Sequence, residues 1–245
     1  MRKYGLIGYP LSHSFSKRYF TERFVSEGIT DAAYETYPLP EISQLTALLE
    51  SIPDLKGLNV TIPYKEAVIP FLDQPDEVVQ KIGACNCINI RNGKLSGHNT
   101  DVYGFKRSLS TKLLPHHNQA LVLGTGGASK AVCFVLDELG IAWKLVSRTS
   151  RQGSFAYDEI SPEMYSTHTL IVNTTPLGMY PNVESLPPLN YQYLTEKHLL
   201  FDLVYNPETT AFLQQGINQK STVLNGYDML IFQAERSWEI WNGNY

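Results

Sequence analysis

The stretch ALVLGTGGASKAVCFVLDELGIAWKLVSRT, residues 120 to 149, constrains the fold more than any other part of the chain. An apolar run, a glycine cluster, a helical repeat and a second apolar run follow one another without a gap. That order is strand, turn, helix, strand, the unit of a parallel sheet. Glycines in such a turn let the backbone approach a pyrophosphate, and the helix start offers N–H donors and a positive dipole end. Gly124, Thr125, Gly126, Gly127 and Ala128 are therefore candidate dinucleotide contacts.

The end of the second strand bears on which dinucleotide. NAD sites commonly place an acidic residue there for the ribose hydroxyls. Here the run is Ser147-Arg148-Thr149-Ser150-Arg151, two guanidiniums among hydroxyls and no carboxylate. Ser147, Arg148, Thr149 and Arg151 suit the 2′-phosphate of NADP through charge-assisted hydrogen bonds. The alternative is a solvated basic loop. Few residues separate Thr149 from the next strand-like run, FAYDEI, although a parallel crossover normally takes a dozen or more. The second crossover is cut down, and part of the usual adenosine-binding wall is expected to be missing or rebuilt.

Before residue 101 short strand-like runs alternate with helical ones, which favours a sheet with helices packed on it. GLNVTIPYKEA, residues 57 to 67, alternates Leu58, Val60 and Ile62 with Asn59 and Thr61, as in a strand whose faces differ. Pro63 is expected to end that strand, with Lys65 in phase with Asn59 and Thr61 and a helix following to about residue 80. CINIRNGKLSGHN reads as a hairpin turning at Arg91-Asn92-Gly93. Beyond the glycine turn, HTLIVN, LLFDLVY and STVLN are further strand candidates. The closing run YDMLIFQAERSWEIW has apolar residues at helical spacing. These elements make two α/β domains with a boundary near residue 101.

Composition narrows the function. At 43% hydrophobic, 18% charged and a net charge of -4, the chain has globular composition and no basic block for nucleic acid. No apolar run approaches the roughly 20 residues that span a bilayer, and MRKYGLIGYP has too short an apolar run for a signal peptide. Cys85, Cys87 and Cys133 do not make a disulfide framework, and no Cys or His pair completes a metal site near them. Reduced, buried thiols in a cytoplasmic protein are expected, with no metal.

The strings GYPLSHSFS, NVTIPYK, IGACNCI, GHNTDVYG, GTGGASKA, SRT, NTTPLGM, DLVYNP and NGYDMLIFQA occur in this order from residue 8 to 234. Together they closely resemble the shikimate dehydrogenase family. The resemblance implies an N-terminal substrate domain and a Rossmann-like NADP domain, with the active site in the cleft between them. It puts the substrate domain at 1–101 plus 225–245 and the cofactor domain at 102–224. The implied reaction interconverts 3-dehydroshikimate and shikimate in aromatic amino-acid biosynthesis.

Lys65 is implied as the catalytic lysine and Asp101 as its partner carboxylate; the plain alternatives are a surface lysine and a helix N-cap. Ser14 and Ser16 would grip the substrate carboxylate. Asn59, Thr61, Asn86, Tyr205 and Gln233 would contact the substrate, although a glutamine in an apolar stripe can also simply bond backbone. On the cofactor side the resemblance adds Asn173, Thr174, Thr175, Leu203, Gly226 and, more weakly, Glu77. His13 and His98 read as structural, the other histidines as loop or surface residues. Lys17 stands where the family usually has proline, and Cys87 where it commonly has threonine. The rival readings are a quinate/shikimate dehydrogenase with relaxed substrate or NAD use, and a non-catalytic nucleotide-binding regulator. The expected partners are the ring acid and NADP, in a monomer or homodimer, with no nucleic acid or membrane.

Overall fold

The computed structural model describes residues 1–11, 15–150 and 153–243, and the chain divides into two compact units. The first is Met1–Thr100 with Ala234–Tyr245, the second Asp101–Gln233. In the first, β1 (Arg2–Gly8), β2 (Ala32–Pro38) and β3 (Leu55–Val60) pair in parallel around β1. They are linked by α1 (Phe15–Ser26) and α2 (Leu45–Ser51). After β3 come α3 (Tyr64–Ala67), β4 (Gln74–Pro75), α4 (Glu77–Ile82), β5 (Cys87–Arg91) and β6 (Lys94–His98). The sheet order is β2-β1-β3-β5-β6-β4, with β5 antiparallel to both its neighbours. Asn92 and Gly93 make the expected hairpin turn, with φ of 52° and 74° as a type I′ turn needs.

Several expectations for this unit fail. β3 ends at Val60, not at Pro63: Thr61 already gives its N–H to Ile7 and accepts that of Tyr64. Lys65 therefore stands on α3 rather than in strand phase. The faces of β3 do not differ in exposure either, because the strand is central; Leu58, Asn59 and Val60 are all buried while Ile62 is 74% exposed. The helix expected up to residue 80 is broken by β4. Pro70 and Pro75 cannot donate helical N–H groups, and Asp76 starts α4 anew by accepting from the Val79 N–H at 2.7 Å.

Strand alternation sorts this core into two layers. Ile7, Leu58, Val60 and Ile88 share a cluster with Leu45, Tyr64 and Val79. Tyr4, Leu6 and Cys87 join Phe20 and Phe24 of α1 and Ile240 and Trp241 near the C-terminus. Gly57 is required on that second face: a Cβ there would meet Trp241 Nε1 at 2.2 Å, and Trp241 donates to the Ile88 carbonyl at 3.0 Å.

The second unit is a doubly wound parallel sheet. α5 (Thr100–Ser110) precedes β7 (Gln119–Leu123), α6 (Gly127–Glu138), β8 (Ala142–Ser147), β9 (Ser154–Ala156), α7 (Pro162–Thr167) and β10 (Leu170–Asn173). β11 (Leu199–Asp202), α8 (Ala211–Asn218), β12 (Thr222–Leu224) and α9 (Tyr227–Asn242) complete it. The order β12-β11-β10-β7-β8-β9 reverses between β7 and β10, the switch point at which such sheets bind ligands. Phe105, Val132 and Leu136 pack on one face; Tyr165, Phe212 and Leu213 pack on the other.

β8 pairs in parallel with β9, Leu145 with Ser154 through Ser147 with Ala156, and only residues 148–153 connect them. The crossover is as short as the sequence indicates. α9 divides between the units after Gln233, whereas the sequence reading gives its whole length to the first. Among the described residues no helix is long and apolar enough to cross a membrane.

Candidate active-site residues in the two units

In the first unit Tyr34 of β2, Asn59 of β3, Asn86 just before β5, Thr100 and Ser237 form one buried cluster. Asn59 is its centre. Its Oδ1 accepts the Tyr34 hydroxyl at 2.8 Å, and its Nδ2 donates to Ser237 Oγ at 2.9 Å and to the Asn86 carbonyl at 3.3 Å. Asn86 is held in turn: its Oδ1 accepts the Thr100 N–H at 2.6 Å and its Nδ2 donates to Thr100 Oγ1 at 3.0 Å. Burial pushes the Tyr34 hydroxyl well above its usual value, and its hydrogen bond with Ser16 pulls the other way. Ser16, in the first turn of α1, is thus tied to Asn59 through one phenol.

Lys65 is half-buried on α3, and its carbonyl accepts the Cys85 N–H at 2.7 Å, one residue before Asn86. Thr61 lies against Gly8, where a Cβ would meet Thr61 Cγ2 at 2.5 Å, so glycine lets the end of β1 reach this segment. The Asn59 amide spends both its N–H bonds inside the protein. Tyr34, Thr100 and Ser237 were missed by sequence reasoning. Thr100 adjoins Asp101 in GHNTD, and Ser237 falls one helical turn beyond Gln233; Tyr34 had no local signal beyond strand alternation.

In the second unit the glycine turn follows β7. Gly124 has a φ of 109°, and a Cβ on it would meet Thr174 Oγ1 at 2.7 Å. Only glycine fits there. Gly126 and Gly127 differ, because a Cβ on either would meet nothing within 4 Å. Gly126 caps α6 without a side-chain bond, so no capping side chain covers the start of the helix. This is a fit for a pyrophosphate. Thr125 is exposed, Ala128 half-buried. Ser147 Oγ donates to the Thr149 carbonyl at 2.6 Å and shapes the turn that presents Arg148, which is exposed.

The loops after β10 and β11 are joined by a buried carboxylate. Asp202, 0% exposed, accepts at Oδ1 from Asn173 Nδ2 (2.9 Å) and from the Val204 N–H (3.0 Å). Its Oδ2 accepts the hydroxyl of Thr210, the N-cap of α8, at 2.5 Å. Asn173 then offers its Oδ1 to the N–H and hydroxyl of Thr175. Asn173 is itself 0% exposed, so it shapes the Thr174–Thr175 loop from beneath. Burial raises the Asp202 carboxyl to about 6 despite its three donors. Gly226 lies against Leu203, whose carbonyl a Cβ would meet at 2.1 Å.

Asp101 lies in the first turn of α5, which begins at Thr100, so it is not that helix's N-cap. Gln233 donates to the Leu230 carbonyl at 2.9 Å, and Tyr205 is exposed. Glu77, in the first unit, opens α4 beside Lys81. Ser14, His13 and Arg151 lie outside the described residues. His117, His168 and His198 lie in loops, as expected, but are buried there, and burial lowers the pKa of each. All three cysteines are buried and free; burial pushes Cys85 and Cys133 up to about 12 and Cys87 still further, so none is a reactive thiolate.

The family model for the shikimate dehydrogenase substrate-binding domain matches residues 6–88. A shikimate dehydrogenase (NADP(+)) of Clostridium beijerinckii is 41% identical over 251 residues, covering 98% of this chain and 92% of its own. The solved shikimate 5-dehydrogenase of Thermus thermophilus, in complex with NADP(H) and shikimate, matches with a TM-score of 0.87 at 31% identity. That match covers 99% of this chain and 94% of the other. The ligand-free 5-ketofructose reductase of a Gluconobacter species matches with a TM-score of 0.82 at 28% identity, over 99% and 93% of the two chains.

Proposed function

Because the chain belongs to the shikimate dehydrogenase family, we propose that it reduces 3-dehydroshikimate to shikimate, reversibly, with NADPH. One observation carries the reading: a single chain holds both an uncovered glycine turn followed by Arg148 and an amide-and-hydroxyl cluster beside Lys65. The step belongs to aromatic amino-acid biosynthesis.

NADPH, when bound, supplies the hydride. The residues of the chain do the rest. Gly126, Gly127 and the N–H groups opening α6 hold the pyrophosphate, and Arg148 holds the 2′-phosphate with Thr149 and Arg151 beside it. Ser14 and Ser16 grip the ring acid's carboxylate. Thr61 and Asn86 meet ring hydroxyls, Tyr205 and Gln233 add contacts from the second unit, and Asn59 fixes the cluster. Lys65, as an ammonium, polarises the ketone and gives the proton to the forming hydroxyl; in reverse, the amine takes it back. Asp101 orients Lys65 and accepts from a substrate hydroxyl.

Lys65→Ala is expected to lower kcat by about 10³-fold while NADP still binds; turnover near that of the wild type would remove the lysine from the chemistry. Arg148→Ala should weaken NADP about 10–100-fold, the worth of charge-assisted hydrogen bonds, and leave NAD little changed. Equal loss for both would refute the 2′-phosphate role.

The Gluconobacter neighbour carries a different substrate name on the same fold, so a second reading stands beside the first. It makes this chain a dehydrogenase of broader scope, accepting quinate or NAD. Initial rates with shikimate and quinate, each with NADP and NAD, separate the two. A strong rate with shikimate and NADP alone supports the first; comparable rates elsewhere support the second. No rate in any combination, with NADP still bound, would favour a regulator. The reading places the chain in the cytoplasm, in keeping with three free cysteines, as a monomer or homodimer that sedimentation would distinguish.

A further inference from the structure

The shortened link between β8 and β9 brings Arg148 to the rim of a cavity of about 600 Å³ that no sequence motif accounts for. Its apolar wall is Ile160, Tyr165 and Leu189, with Tyr157 beside them. The wall is well fixed: the Tyr165 hydroxyl accepts the Asn190 N–H at 2.8 Å. The turn carrying Tyr157 is closed by Glu159, which accepts the Ala156 N–H at 2.6 Å. Burial pushes the Tyr157 hydroxyl up to about 12 and the nearby Arg148 charge pulls the other way, so Tyr157 is a neutral ring close to a guanidinium. Besides Arg148 and Tyr157, the lining includes Asp158 and Asn190, both exposed polar residues.

This set has a specific chemistry. The volume suits a nucleoside-sized ligand. An aromatic ring over an apolar wall suits a flat base, one guanidinium at the rim suits a phosphate, and one carboxylate suits an exocyclic amine. We propose that this cavity takes the adenine of NADP, with the ring against Tyr157, the amine on Asp158 and the 2′-phosphate on Arg148. Tyr157 and Asp158 both belong to the segment entered directly from the short link, so the cut that removes the usual crossover also builds this wall. The inference rests on the NADP reading above and names the residues of its adenosine end.

The test is calorimetric titration of the whole protein with adenosine 2′,5′-bisphosphate, a probe without nicotinamide. The wild type should bind it, Tyr157→Ala should weaken it about 10-fold, as loss of base stacking does elsewhere, and Tyr157→Phe should restore it. A second arm uses the hypoxanthine analogue of NADP, which lacks the amine. The wild type should prefer NADP by about 10-fold, and Asp158→Ala should erase the preference. If Tyr157→Ala binds the bisphosphate as the wild type does, or the wild type ignores the missing amine, the cavity assignment falls while NADP use stands. If the wild type binds no bisphosphate at all, the NADP reading falls with it. Should Tyr157→Ala fail to fold, the hypoxanthine arm decides alone.

Discussion

Around Asn59 the first unit buries a chain of amides and hydroxyls, from Tyr34 through Ser237 and Thr100 to Asn86. Around Asp202 the second unit buries a carboxyl group, and it buries three histidines besides. Both arrangements hold loops that carry candidate site residues. They differ in what acid and base do to them. The Tyr34 phenol is held well above its usual value, so the Asn59 cluster stays neutral across the cell's pH range. In the second unit protons come and go. Asp202 holds a proton in the folded chain between roughly 3.8 and 6 that the unfolded chain has released. Stability therefore falls as pH rises through that window, and above it the charge costs about 3 kcal/mol. The histidines act in the opposite sense: their lowered pKa values mean that the unfolded chain binds protons first as pH drops below 6.5. Their contribution is complete above 6.5 and is lost on acidification.

The largest expected effect tests the neutral cluster. Asn59→Leu removes three buried hydrogen bonds at once and leaves Tyr34 with Ser16, Ser237 with Thr100 and the Asn86 carbonyl with the Val60 N–H, and should cost about 3 kcal/mol. Urea unfolding should give the same loss at pH 5 and pH 8; a loss that changes with pH would mean the cluster titrates after all. Asp202→Asn is smaller and opposite in sign. The amide keeps an oxygen toward Asn173 and Val204 and turns its NH2 to Thr210, while the ionisation cost disappears. A gain of about 1–2 kcal/mol at pH 7.5, absent at pH 4, is expected; a loss at pH 7.5 would show that the charge itself stabilises the loops. The smallest effect is that of His198→Gln. Its amide can still donate to the Tyr165 carbonyl, which His198 Nε2 contacts at 2.9 Å, and accept the Thr195 N–H that Nδ1 takes at 3.0 Å, so the acid-side loss should shrink at pH 5 while stability at pH 8 changes little. An unchanged pH profile would move the acid sensitivity to His117 or His168.

Local signals made much of this legible in advance. The glycine turn, the Asn92-Gly93 hairpin and the missing crossover after Ser147 are each set by backbone permissions and chain length over a few residues. The break at Pro70 and Pro75 was equally local and was overlooked, because apolar spacing across it imitates a helix. Other features could not be read. Whether Ser147 meets a ligand or its neighbour Thr149 depends on one rotamer. Asn173 and Asn59 stand in the right motifs, yet both have their amides engaged in internal bonds, which only the facing strands reveal. The histidines looked superficial because loops usually are, but His117 and His198 have ring nitrogens bonded to main chain in the folded protein.

The sequence by itself determined the doubly wound sheet, the glycine turn, the cationic strand end and the presence of Lys65 and Asp101, because periodicity, glycine freedom and charge act locally. The tertiary structure decided which polar groups spend their hydrogen bonds on each other, where a carboxyl group loses its water, and that a short link opens onto a cavity. Those depend on residues far apart in the chain, such as Asn59 and Ser237, being brought within 2.9 Å, and spacing along a sequence carries no record of that distance.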